Sequence, residues 1–149
     1  MQSEMLAPAA ALIVWTMAMM LWMAVTRFAA MAKVGVDLSK AKPGGRGSSL
    51  EGVLPDAVMW KSHNYSHLME QPTIFYPAVV ILALSGATAT DVGLAWAYVA
   101  IRVVHSLWQA TVNRIPVRAG LFFLSSIAMI ALAIRALLAT LAAAPGVIA

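Results

Sequence analysis

An all-α membrane protein, a bundle of four transmembrane helices, is the fold this sequence predicts, and three observations carry that prediction. Hydrophobic residues make up 62% of the 149-residue chain and charged residues only 11%. With a mean hydropathy of +0.83, this balance lies outside the range of soluble domains. The apolar residues gather in four segments, each long enough at 1.5 Å rise per residue to cross a ~30 Å hydrocarbon core. The basic residues gather in alternate connections, as topology charges do. Helices are the only elements that suit such lengths, because lipid offers backbone groups no partners and the period-2 pattern of a barrel is absent.

The first span is expected at about 5–32, with Trp15 and Trp22 on one face. Ala30-Met31-Ala32 resembles a signal-peptide cleavage site, but Met1-Gln2-Ser3-Glu4 carries an acid and no base. The apolar run is also longer than the ~7–15 residues of a signal core, so the segment reads as a retained span. A long basic loop follows at 33–55, its centre Lys42-Pro43-Gly44-Gly45-Arg46-Gly47-Ser48-Ser49 having flexible-linker chemistry without the rest of a P-loop motif. The second span, about 56–85, is polar in its first turns and apolar from Ile74 to Leu84. Pro72 and Pro77 should kink it. Gly86–Thr90 reads as a tight turn with Thr90 or Asp91 as an N-cap.

The third span is expected at about 91–112 and the fourth at about 119–143. Between them Asn113–Arg118 is short and basic, with Pro116 placed to start the last helix. The whole chain, 1–149, reads as a single transmembrane domain with no room for a separate soluble one. Six of the ten basic residues (Arg27, Lys33, Lys40, Lys42, Arg46, Lys61) fall in or beside the first loop. The net charge of +4 is therefore a topology signal and not a nucleic-acid footprint. The positive-inside rule places both basic loops in the cytosol and both termini outside. There is no cysteine, which excludes disulfides, thiolate metal sites and a cysteine nucleophile.

Against this apolar background the polar residues stand out. Arg102 and His105 lie one helical turn apart in the third span, where an arginine costs roughly 2.5–3.5 kcal/mol on insertion scales. Such a residue must face a partner or a polar site. On the second span His63, His67 and Glu70 follow i, i+4, i+7, flanked by Asn64 and Gln71. Glu70 is expected to lie deepest, where an unpaired carboxylate is costly. Arg102 then has two readings: a structural ion pair with Glu70, or a hold on an anionic ligand at a pocket floor. Arg118 sits at the mouth of that pocket. Arg114 and Arg135 read as snorkelling charges, and the tryptophans and ten methionines as lipid-facing belts and packing filler. A metal held by the three histidines and Glu70 is disfavoured, since membrane di-iron oxygenases need many more histidines.

These residues carry a resemblance. Ala100-Ile101-Arg102-Val103-Val104-His105-Ser106 is similar to the Arg-x-x-His segment on helix three of the MAPEG family, the membrane-associated proteins of eicosanoid and glutathione metabolism. Ile115-Pro116-Val117-Arg118 follows at the right interval, like the Pro-x-Arg that opens helix four in its glutathione transferases and prostaglandin synthase. The stretch ending at Glu70 resembles the family's Arg-x-x-x-Asn-x-x-Glu motif. The resemblance implies a left-handed four-helix bundle assembled as a homotrimer, in a bacterial inner membrane, with glutathione as co-substrate, a lipophilic second substrate and no metal. It implies that Glu70 holds the glutathione amino group, that Arg102 and His105 bind its carboxylates or backbone, and that Arg118 stabilises the thiolate. His63, His67 and Asn64 complete the binding face, and Arg27 matches a basic residue contributed by a neighbouring subunit. The chain departs from the pattern where His63 and Ser66 replace helix-two arginines, His67 replaces the asparagine and Gln109 replaces a tyrosine. These changes remove charge from the carboxylate clamp. They leave two readings: a glutathione transferase or peroxidase, and a MAPEG-like membrane binding or accessory subunit without glutathione chemistry.

Overall fold

In the computed structural model, which describes residues 1–142, the chain is all-helical, with no strand among the described residues. Ala143, the expected last residue of the fourth span, lies outside them. Helix α1 runs Gln2–Val34 and ends at Gly35, whose φ of 74° lets its N–H turn back to the carbonyls of Ala32 and Met31. The connection that follows holds two short 3₁₀ turns, Leu38–Lys40 and Gly47–Leu50. Asp37 caps the first, accepting from the Ser39 N–H at 3.0 Å and hydroxyl at 2.6 Å. The Ser39 hydroxyl and N–H hold that carboxyl below its ordinary range.

The second span is two helices, α2 at Asp56–Leu68 and α3 at Pro72–Leu84. Of the two prolines expected to kink this span, Pro72 marks the break, whereas Pro77 lies inside the uninterrupted α3. Pro72 has no N–H to offer the Leu68 carbonyl, so the helix ends and restarts with proline in its first turn. Helix α4 covers Ala89–Thr111 and α5 covers Ile115–Ala142. The last helix starts at Ile115 with Pro116 in its first turn, where the sequence placed it, four residues ahead of the fourth span's expected start at 119. Three stretches are long and apolar enough to cross a membrane: Gln2–Val34, Asp56–Leu84 and Ile115–Ala142. Helix α4, made more polar by Arg102, His105 and Gln109, is packed against α1, α2 and α5.

Within hydrocarbon, helices gain nothing by leaving lipid tails, so association rests on close packing and interhelical hydrogen bonds. The main core supplies the packing: Leu12, Phe75, Val79, Tyr98 and Leu132 are nearly or fully buried, and Phe75 stacks on Tyr98 at 4.5 Å between ring centroids. The hydrogen bonds correct two expectations. Trp15 is no lipid-facing belt residue; its indole N–H donates to Ser106 Oγ at 3.1 Å, tying α1 to α4. Arg135 does not snorkel either. Its guanidinium pairs with Asp91, and its Nη2 donates to Thr88 Oγ1 at 3.0 Å, joining α5 to the start of α4. Thr88, not Thr90 or Asp91, is the N-cap, in a capping box with Asp91. A smaller cluster of Ala30, Met31, Leu54 and Met59 closes the return of the long loop onto α1 and α2.

The Asp91–Arg135 pair gives a stability prediction. Asp91→Ala strands a guanidinium at the α4–α5 contact and is expected to cost about 1.5–3 kcal/mol, the range for hydrogen bonds to charged groups. Thr88→Ala removes mainly the cap and should cost about 1 kcal/mol. Thermal unfolding in detergent would show the ordering; a larger loss for Thr88→Ala would contradict it.

Candidate functional site

The end of the bundle that carries the long loop encloses a cavity of about 460 Å³ between α2, α4 and α5. Local sequence places each wall. His63 and His67, one turn apart on α2, face His105 and Gln109, one turn apart on α4. Arg118 and Phe122, one turn apart in the first turns of α5, complete the ring with Phe123. The imidazoles of His67 and His105 lie 4.9 Å apart between centroids, and Phe122 stands 5.4 Å from His67. No carboxylate lines this cavity.

Arg118 is positioned by the α4–α5 turn. Asn113 takes φ 52°, a left-handed conformation that asparagine tolerates better than most residues, and its Oδ1 accepts from Arg118 Nη1 at 2.7 Å. The turn is held by the Asn113 N–H donating to the Trp108 carbonyl at 2.8 Å and by the Trp108 indole donating to the Arg114 carbonyl at 3.2 Å. One Arg118 amino group is thereby fixed while the side chain stays part-exposed to the cavity.

Arg102 is fully buried behind this wall. Its Nη2 donates to the His67 carbonyl at 3.0 Å. That carbonyl lies at the interrupted end of α2, where a cation also complements the helix dipole. The ion pair with Glu70, one of the two readings of Arg102, is not formed among the described residues. Arg102 Nε and Nη1 have no partner, nor do His105 Nε2 or Gln109 Oε1. Native interiors rarely leave such groups unsatisfied, and a guanidinium least of all.

The other candidates are dispersed. Glu70, expected to be deepest, is instead largely exposed, its side chain at 66%, with Oε2 3.9 Å from His67 Nε2. The reason is the helix break: the i, i+4, i+7 stripe assumes an unbroken helix, and α2 stops at Leu68. Asn64 is 1% exposed, with both amide atoms unpartnered, and does not line the cavity. His63 lines the mouth, its Nε2 3.0 Å from Glu51 Oε1 of the long loop. Arg27 lies apart, donating to Ser62 Oγ of α2 and facing the long loop. Sequence reasoning did not place Gln109, Phe122 and Phe123 in the site, although Gln109 and Phe122 each stand four residues beyond a candidate and so share its helix face.

The cavity offers an aromatic wall, three imidazoles able to donate or accept a hydrogen bond and one guanidinium at the surface, with a second guanidinium beneath. Among the described residues, no group of three His, Asp or Glu side chains is arranged to hold a metal ion. The description MAPEG family attaches to a family model that matches residues 5–138. No curated protein matches the chain, and no solved structure does.

Proposed function

The chain belongs to the MAPEG family, and from that premise we propose that it is an integral membrane glutathione transferase or glutathione-dependent peroxidase. The observation that carries the reading is the cavity walled by His63, His67, His105 and Arg118, with the buried, incompletely paired Arg102 behind it. Glutathione brings two carboxylates, one ammonium and a thiol. The guanidiniums of Arg102 and Arg118 suit the carboxylates, and Glu70, with its Oε2 3.9 Å from His67 Nε2, suits the ammonium. The volume falls in the ~300–1,000 Å³ range of small-molecule sites.

In this reading Arg118 favours the thiolate over a thiol whose ordinary pKa is about 8.5. The sulfur then attacks an apolar electrophile arriving from the lipid. A C–S bond forms, and the electron pair of the broken bond leaves with the leaving group or moves into a conjugated acceptor. With a hydroperoxide, sulfur takes the distal oxygen as the O–O bond breaks and an alcohol departs. A second glutathione then converts the sulfenic acid to the disulfide and water. Assembly as a homotrimer and an inner-membrane location with both termini outside belong to the same proposal.

Ultraviolet difference absorbance of the purified protein in detergent tests it. Adding glutathione is expected to produce a thiolate band, and S-methylglutathione, which has no ionisable thiol, should give none. Absence of the band at saturating glutathione would remove the transferase reading. The alternative, a membrane binding or accessory subunit, would then lead, as the replacement of arginines by His63 and Ser66 already favours.

A further inference from the structure

A second cavity, about 790 Å³ and larger than the one between α2, α4 and α5, lies between the end of α1 and the long loop. Its lining combines three cations, Arg27, Lys42 and Arg46, with an apolar floor that includes Phe28, Met31 and Leu38, and it contains no acid. The acids of the loop are engaged elsewhere: Asp37 pairs with Lys40 at 3.5 Å and Glu51 with His63 at 3.0 Å. Lys42 and Arg46 have no carboxylate within ion-pair distance among the described residues. Arg27 Nε is buried without a partner.

The backbone is shaped around the same guanidinium. A Cβ at Gly47 would lie 2.8 Å from Arg27 Nη1, so the loop backbone runs close against the tip of that flexible side chain. Meanwhile Phe28 and Leu38 keep 59% and 58% of their surface exposed. Cations above exposed apolar surface make the footprint of an anionic amphiphile. By the positive-inside rule this end of α1 lies at the cytosolic headgroup level, where basic pockets take acidic lipid headgroups.

We propose that the cleft between the end of α1 and the long loop is a binding site for one anionic phospholipid. Arg27, Lys42 and Arg46 hold the phosphate, and an acyl chain lies along Phe28, Met31 and Leu38. The site is separate from the glutathione cavity.

Native mass spectrometry of the full chain from neutral detergent, titrated with phosphatidylglycerol or phosphatidylcholine, tests this. Wild type is expected to retain one phosphatidylglycerol per chain in preference to phosphatidylcholine. Affinity for phosphatidylglycerol should fall about fivefold for each cation removed in Lys42→Gln and Arg46→Gln, both on the exposed loop. Phosphatidylcholine binding should not change. Arg114→Gln, a cation of the other basic connection, should leave the preference intact, and soluble glycerol phosphate should not displace the lipid. Equal retention of the two lipids would overturn the proposal. So would an Arg114→Gln loss as large as that of the loop variants, which would mean diffuse charge only. Displacement by glycerol phosphate would reassign the cleft to free phosphate esters.

Discussion

Arg118→Ala is expected to abolish the glutathione thiolate band at pH 7 and to lower turnover with an electrophile by about 10²–10³-fold, the range for removing one donor to a developing or stabilised anion. The geometry explains why the loss should be chemical and not structural. Arg118 is part-exposed, and its one hydrogen bond, to Asn113 at 2.7 Å, lies within the α4–α5 turn. That turn keeps its two Trp108 contacts when the guanidinium is gone. Folding and oligomeric state should therefore be unchanged.

The pH dependence gives the sign. A cation beside the sulfur lowers the thiol pKa, so the band is present above the bound pKa and disappears as pH falls through it. A depression of two units corresponds to about 2.7 kcal/mol. Wild type should then titrate near pH 6.5 and Arg118→Ala near the free value of about 8.5. Arg118→Lys keeps the charge but not the planar fork and should fall between them. If wild type and Arg118→Ala share one midpoint, Arg118 has no part in thiolate stabilisation.

The helical membrane bundle was legible in the sequence because hydropathy over some twenty residues depends on composition alone, and three stretches are long and apolar enough to cross a membrane. So was the inward face of α4, since only an arginine turned away from lipid is tolerable at Arg102, and His105 lies one turn on. What the sequence could not disclose was pairing between spans. Arg135 reads alone as a snorkelling charge, yet it meets Asp91 across the α4–α5 contact. Trp15 reads as a belt residue, yet it reaches Ser106. Both pairings depend on how the helices are rotated against one another, and spacing within a single helix carries no such information. The misplacement of Glu70 has a local cause. Pro72 signalled a break, but extending the α2 stripe across Met69–Gln71 assumed that the break bent the helix without ending it. The histidines and arginines of the cavity were legible in residue type; its aromatic wall from Phe122 and Phe123 was hidden because phenylalanine in a membrane helix draws no notice.

Arg102 provides the second large effect, and there only the ligand-bound protein should respond. Without ligand, the buried guanidinium has one hydrogen bond, to the His67 carbonyl, and two nitrogens without partners. Replacing a poorly compensated buried charge by an apolar side chain of similar length is often neutral or stabilising by about 1–4 kcal/mol. Loss of the bond to His67 offsets part of that, by about 1.5–3 kcal/mol. Arg102→Met is therefore expected to leave the unfolding midpoint of the ligand-free protein nearly unchanged. With glutathione, removing one partner of a buried charge pair costs about 2–5 kcal/mol, a weakening of roughly 30-fold or more. The thermal stabilisation that saturating glutathione gives wild type should then vanish in Arg102→Met at the same concentration. Arg102→Ala is the less informative variant, since it leaves a cavity as well. The opposite pattern would identify Arg102 as an architectural residue: a ligand-free Arg102→Met that no longer assembles, or one that assembles and binds glutathione as wild type does. In the first case the anion that completes Arg102 belongs to the protein itself, through a neighbouring subunit; in the second Arg102 needs no anion beyond the His67 carbonyl.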